Sequence, residues 1–381
     1  MSSALSARPR SRLRHVLSAP RLRLWLTFTM ALASAWFWTV AQAQEAPATP
    51  DAEPPPAAAA PTEPQGGLSE QARMQALRRA SDAVLGVQVL ALPDARSNAS
   101  VGRERQGSGI VIDRDGLVLT IGYLIVEADQ IQLVLDDQRR LPARVVAYDV
   151  ATGFGLVQAL TPLPLTPVPL GDSTALHHGE AAMIVSGGDN GSVSLAQVVA
   201  RRPFAGYWEY QLDQAVFTVP ARTDHSGAAL FNAEGELLGV GSLLVSDTLG
   251  GSADGGRLPG NMFVPVELLK PILAELRRNG TTAASRRAWL GVNCMERDGE
   301  VRVLRVSDDS PAADAGLQPG DRIERIDGTA VQSLEQLWKQ LWNGGQPERT
   351  VTLDIQRDGE TRSMQVHSVD RMTTLSKAEG I

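Results

Sequence analysis

Between about Leu85 and Val245 the chain is a succession of short apolar runs divided by turn residues, with no helical stretch between them. The runs are VLGVQVLAL, GSGIVI, LVLTIGYLIV, QIQLVL, ARVVAY, GFGLVQAL, EAAMIVSG, VSLAQVVA and GELLGVGSLLV. Asp113-Arg114-Asp115-Gly116 and Asn232-Ala233-Glu234-Gly235 put a glycine where a tight hairpin needs one. Many strands at this spacing, uninterrupted by helices, must pair with one another, which means an all-β sandwich or a pair of barrels. Aromatic residues make up only 5% of the chain, so Val, Leu, Ile and Ala must fill the interior.

The flanks read differently. Residues 1–43 carry six arginines (Arg8, Arg10, Arg12, Arg14, Arg21, Arg23), no lysine and no acid. They lead into the apolar run Leu24 to Val40 and then Ala41-Gln42-Ala43, the pattern of a secretory signal peptide cleaved after Ala43. If it stays uncleaved, that run approaches the length of a membrane anchor. Residues 44–67 are rich in proline and alanine and nearly free of large apolar side chains, so they read as a disordered tether. A helix is expected over Leu68–Val84 with Ser69 as N-cap, and an amphipathic helix over residues 264–280, ended by Asn279-Gly280.

After the spacer TTAASRR a second unit opens with AWLGV (288–292) and VRVLRV (301–306), followed by SPAADAGLQPGDRIERIDGTAV (310–331). The next segment, SLEQLWKQLWNGG, reads as a helix capped by Ser333, with Leu334, Leu337, Trp338 and Leu341 on one face. The last strands end near Val369, and Arg371–Ile381 is polar enough to fray.

Charge and residue counts exclude several classes. Without the six N-terminal arginines, 30 basic residues face 43 acidic ones, a net charge of −13. Such a chain offers no cationic footprint for nucleic acid. The single cysteine, Cys294, excludes an intramolecular disulfide and any cysteine-based zinc cluster, and it reads as a small apolar residue of the second unit. His177-His178 lies in a turn with no third ligand adjacent, so no metal is expected there, and no cofactor is implied elsewhere.

Taken together, four stretches resemble the HtrA/Deg family. They are GSGIVIDRDGLVLT (107–120), LPLTPVPLGDSTALHHGEAAMIVSG (163–187), FVPVELLKPILAELRRNG (263–280), and WLGV with SPAADAGLQPGDRIERIDG. The resemblance covers roughly residues 68–370. It implies a mainly β protein: a chymotrypsin-like double β-barrel over 68–280, a linker over 281–287, a PDZ domain (small α+β) over 288–370, and a tail.

Carried over residue by residue, the catalytic pattern has changed. The family's T-N-N-H-V-V becomes Thr120-Ile121-Gly122-Tyr123-Leu124-Ile125, which puts Tyr123 at the general base. Its D-P-x-T-D becomes Asp149-Val150-Ala151-Thr152-Gly153, so Gly153 stands for the aspartate that orients the base. Its G-N-S-G-G becomes Asp224-His225-Ser226-Gly227-Ala228. Ser226 keeps the nucleophile's place, and Asp224 replaces a glycine of the oxyanion hole.

A serine hydroxyl needs a base within hydrogen-bond reach. A phenol with a pKa of about 10 is almost wholly protonated near neutrality. The negative charge of Asp224 would oppose a developing oxyanion. No lysine precedes Lys270, which excludes a Ser–Lys dyad within the barrels. His225 adjoins Ser226, but neighbouring side chains in an extended segment point apart.

The PDZ unit binds through backbone, so its chemistry survives these changes. The resemblance implies that the N–H groups of Leu290, Gly291 and Val292 receive a peptide's C-terminal carboxylate, with Leu334 and Leu337 on the far wall. The alternative is a PDZ fold whose groove is filled. The function expected is therefore an exported, periplasmic pseudoprotease acting as a binding, regulatory or scaffold subunit. Its expected partners are peptide C-termini or unfolded segments and, through assembly, copies of itself or other subunits. The competing reading is an atypical but active serine endopeptidase of periplasmic protein quality control that uses Ser226.

Overall fold

The computed structural model describes residues 69–136, 138–251 and 256–377. The signal segment, the Pro/Ala-rich tether and the last four residues lie outside them.

The described chain opens with α1 (Glu70–Asp82), where the Ser69 hydroxyl accepts from the N–H of Ala72 at 3.3 Å. The first barrel follows: β1 (Val84–Ala91), β2 (Glu104–Val111), β3 (Leu117–Ile121), β4 (Ala128–Val134), β5 (Arg140–Tyr148) and β6 (Phe154–Ala159). One-turn helices stand after β1 (α2, Asn98–Val101) and after β3 (α3, Gly122–Ile125). The strands close in the order β1-β2-β3-β6-β5-β4 around Ile110, Leu117, Leu119, Phe154 and Leu156, all shielded from solvent.

The second barrel is β7 (Ala181–Ser186), β8 (Ser192–Ala205), β9 (Gln211–Val219), β10 (Ala229–Phe231), β11 (Leu237–Val245) and β12 (Gly260–Pro265). It closes as β10-β11-β12-β9-β8-β7 over Phe217, Phe231 and Phe263. Alternating apolar strands thus do close into two barrels, one of the two solutions open to the sequence.

Two stretches differ from expectation. The run LVLTIGYLIV leaves the strand after Ile121 and turns once as α3, with the Gly122 N–H still bonding the Gly153 carbonyl (2.7 Å) in the register of the β3–β6 pair. The helix expected over 264–280 is confined to α4 (Leu273–Asn279). Its first residues belong to β12, and Pro271, which lacks an N–H and disfavours helix at the residue before it, delays the start.

The third body is built from β13 (Ala288–Trp289), β14 (Val292–Arg297), β15 (Glu300–Val306), α5 (Pro311–Asp314), β16 (Arg322–Ile326), β17 (Thr329–Ala330), α6 (Leu334–Asn343), β18 (Thr350–Arg357), β19 (Glu360–His367) and β20 (Val369–Asp370). Its sheet runs β14-β15-β16-β18-β19, with β17 on β16 and a separate β13–β20 pair. Ser333 caps α6, accepting from Gln336 N at 3.2 Å, and Leu334, Leu337, Trp338 and Leu341 are all buried. The tail is tied down as far as it is described. Ser376 N donates to the Glu127 carboxylate at 3.0 Å, and the Arg371 guanidinium lies 4.8 Å from the Trp289 ring centre.

Candidate functional site

The barrels meet where α3, the 149–153 turn and the 222–228 turn converge. Tyr123 Oη stands 2.8 Å from Ser226 Oγ and 2.8 Å from the carbonyl oxygen of Ser242. A phenol has one proton, and a carbonyl can only accept. The Ser226 hydroxyl oxygen and the Ser242 carbonyl oxygen both stand as acceptors to that one phenolic proton, which they share. Burial pushes the Tyr123 phenol up to about 12, against a smaller opposing effect of the Ser226 contact. A phenol pushed up this far is neutral near pH 7, and a neutral phenol that donates to Ser226 Oγ is not acting as its base.

Gly153 sits next to this pair through the Gly122 N–H, but with φ +84°. A Cβ at this position would lie 3.0 Å from Tyr210 Oη, which donates to the Thr152 carbonyl at 2.7 Å. The loop's remaining acid, Asp149, is fully buried. It accepts from Thr152 N (2.9 Å) and from the hydroxyls of Thr152 (2.6 Å), Thr282 (2.5 Å) and Ser285 (2.5 Å). It fastens the turn to the segment beyond α4 and is spent there.

Asp224 behaves differently from the expectation of a bare charge beside an oxyanion. Its carboxylate accepts from Ser186 Oγ (2.5 Å), Ser192 Oγ (2.9 Å) and the Arg222 guanidinium (2.5 and 3.0 Å). Burial works against its ionisation, but these bonds win and hold its pKa down to about 2. Its charge is compensated by Arg222, so its effect at the site is to replace a glycine and line the cleft. That cleft, about 200 Å³, is bounded by Gly107, Ser108, Gly187, Gly188, Asp224 and Ser226.

His225 turns away from the serine. Its Nδ1 lies 3.1 Å from the Arg222 carbonyl oxygen, and burial lowers its pKa. His178 Nδ1 faces the Val199 carbonyl (2.8 Å), and His367 Nδ1 faces Thr350 Oγ1 (3.0 Å). Among the described residues no imidazole is hydrogen-bonded to Ser226.

The second place where function was expected is the groove beside β14. The N–H groups of Leu290, Gly291 and Val292 do converge on one carboxylate oxygen, and it belongs to the chain itself. Glu209 Oε1 accepts all three, at 3.0, 2.9 and 3.3 Å. The groove is therefore filled, not open. Leu334 and Leu337 are packed into the core of this body, not along an empty wall. Glu209 was not visible as a site residue in the sequence. It lies in GYWEY, the short link between β8 and β9, and nothing in its spacing reveals a contact 81 residues away.

Two closed barrels with a Ser226 turn at their junction, followed by a six-stranded sheet with a carboxylate-binding loop, define a trypsin-like peptidase fold joined to a PDZ domain. Residues 107–240 match the trypsin-like peptidase domain family and residues 288–367 the PDZ domain family. A protein of Pseudomonas fulva described as a probable periplasmic serine endoprotease, DegP-like, is 28% identical over 293 residues, 71% of this chain and 58% of that protein. One of the same description from Halomonas elongata is 27% identical over 293 residues, 72% of this chain and 58% of that protein. The chain thus spans about 58% of the length of these relatives. Among solved structures, a serine-to-alanine form of the HtrA-type protease AlgW with a tripeptide superposes with a TM-score of 0.50 at 23% identity, covering 78% of this chain and 97% of that one. The chain belongs to the HtrA-type protease family, with a PDZ domain behind the peptidase fold.

Proposed function

We propose that this chain is an exported HtrA-type pseudoprotease, a binding or regulatory subunit that recognises peptide C-termini or unfolded segments through its PDZ domain. The observation that carries the reading is the Tyr123–Ser226 pair. The hydroxyl that would attack accepts from a buried, neutral phenol, and among the described residues no base is hydrogen-bonded to it. The relatives are described as periplasmic, and the Arg-rich, apolar N-terminus with its Ala-x-Ala site supports the same compartment here. The AlgW neighbour holds a tripeptide; a peptide ligand for this chain is part of the proposal.

The test is catalytic. The full chain is expected to leave casein intact, to resist fluorophosphonate labelling at Ser226, and to behave the same as Ser226→Ala. Hydrolysis that disappears in Ser226→Ala would overturn the reading and assign an atypical serine endopeptidase instead.

A further inference from the structure

The PDZ groove is occupied in a manner that copies a ligand. Tyr207 O accepts from Cys294 N at 2.6 Å, and Trp208 pairs with Asn293 as an antiparallel bridge. Glu209 then places its side-chain carboxylate on the N–H groups of Leu290–Val292. Residue numbers fall from 209 to 207 as the β14 edge advances from 290 to 294. The segment thus lies antiparallel to β14, with its carboxylate at the loop that starts the strand. Strand addition to a sheet edge with a terminal carboxylate in a backbone nest uses this geometry. On the other wall, Trp338 Nε1 of α6 donates to the Gly206 carbonyl at 3.0 Å.

We propose that Tyr207–Glu209 is a ligand built into the chain, which keeps the PDZ groove closed until a peptide with a free C-terminal carboxylate displaces it. The proposal rests on the reading of the groove as a peptide site. Displacement is feasible because the internal carboxylate is imperfectly housed. Glu209 Oε2 is buried and makes no hydrogen bond, while Oε1 alone serves three donors. Burying a carboxylate without a direct counter-ion is costly. Among the described residues, the charge with a resolved effect on it is that of Arg371. An incoming peptide makes the same three bonds and adds its own strand pairing.

The internal ligand competes at the effective concentration of a short tether, on the order of millimolar. A peptide of micromolar intrinsic affinity therefore meets a groove that is open only a small fraction of the time, and its apparent affinity falls by that fraction.

The experiment uses the full chain, the Glu209→Ala variant, and the pentapeptide Ala-Gly-Tyr-Trp-Val as free acid and as amide. Amide hydrogen exchange at Leu290, Gly291 and Val292 is expected to quicken at least tenfold in Glu209→Ala, and the free acid to bind that variant at least tenfold tighter than wild type. The amide should bind neither. In wild type, saturating free acid should expose the amides of Gly206 and Tyr210, which bond within the same segment. This arm needs no variant and stands if Glu209→Ala fails to fold.

Unchanged exchange at 290–292 in the variant, or equal peptide affinity for both proteins, overturns the built-in ligand and leaves the peptide site intact. So does a wild-type complex in which 206–210 stays protected. Amides that open in Glu209→Ala while no acid peptide binds would uphold the internal contact and defeat the peptide site.

Discussion

The barrel junction and the PDZ groove are both places where a chain of this family presents reactive or unsatisfied atoms to a visitor, and here both have been given internal partners. At the junction the Ser226 hydroxyl is engaged by Tyr123; in the groove three N–H groups are engaged by Glu209. The difference lies in what removal of the partner would restore. Displacing Glu209 leaves a complete carboxylate site, because the site is backbone. Moving Tyr123 aside leaves a serine to which, among the described residues, no imidazole is hydrogen-bonded. On the proposals above, one closure is reversible by competition and the other is built into the residue types.

The largest effect that would break this comparison comes from the junction's backbone. Gly227 has φ +73°, and a Cβ there would lie 2.1 Å from the Ser108 carbonyl oxygen. Gly227→Ala is expected to cost about 3 kcal/mol or more, through strain and a clash between two backbones. Chemical denaturation measures it. A loss below about 1 kcal/mol would mean that the turn carrying Ser226 is mobile, and the fixed Tyr123–Ser226 pairing would have to be abandoned.

Next in size is the phenol itself. Tyr123→Phe removes the one hydroxyl that satisfies both Ser226 Oγ and the Ser242 carbonyl. Leaving these polar atoms unpaired is expected to destabilise the barrels by about 1–3 kcal/mol. Casein hydrolysis should remain absent. Restoring the family's residues is expected to fail as well. In Tyr123→His/Gly153→Asp/Asp224→Gly, the new aspartate meets both a left-handed backbone and Tyr210 Oη. Hydrolysis by this triple variant would show that Tyr210 yields easily and that the junction retains the geometry of a working triad.

The sequence announced most of the frame. The spacing of β runs narrowed the fold to a sandwich or a pair of barrels and the family resemblance pointed to the barrels, Ser69 and Ser333 marked helix starts, and the altered motif residues Tyr123 and Ser226 do meet at 2.8 Å. Three things escaped it for physical reasons. Asp224 read as an uncompensated charge because Arg222, two residues away, acts only once the turn folds its guanidinium back on it. Gly153 read as a simple loss, although its left-handed backbone and Tyr210 now fill the space. Glu209 was invisible because strand addition between domains depends on backbone edges, and backbone edges leave no residue signature.

A smaller effect sharpens the groove side of the comparison. Burial raises the Glu209 carboxyl to about 7 from its ordinary value of 4.5, opposed by Arg371 and by the three backbone bonds. The neighbouring Cys294 thiol is raised by burial and then by Glu209, so it stays neutral across this range. The docked state therefore binds a proton that the undocked state does not, between about pH 4.5 and 7. With more protons bound when docked, docking is tightest at the acid end, weakens as pH rises through that window, and levels off above it. Amide exchange at 290–292, corrected for its intrinsic pH dependence, is expected to quicken about twentyfold between pH 5.5 and 7.5, which is about 1.8 kcal/mol. A flat profile would place the carboxylate in contact with water.

The smallest effect belongs to the contact that looks most like a clamp between the two bodies. Lys339 Nζ on α6 lies 3.0 Å from Asp213 Oδ1 on β9 and 2.7 Å from Glu335 Oε1 on its own helix. Both ends of the bridge to Asp213 are open to solvent, with side-chain exposures of 42% and 74%. Water screens such a pair, and holding two long side chains in one geometry costs rotamer freedom. Lys339→Ala is expected to change stability by no more than about 0.5 kcal/mol. Its exchange rates at Leu290–Val292 should stay within twofold of wild type, because the groove is held by backbone and by Glu209, not by this pair. A tenfold rise in Lys339→Ala would transfer the hold on the groove from the internal carboxylate to surface charge. Docking would then be salt-sensitive, which a buried Glu209 contact is not.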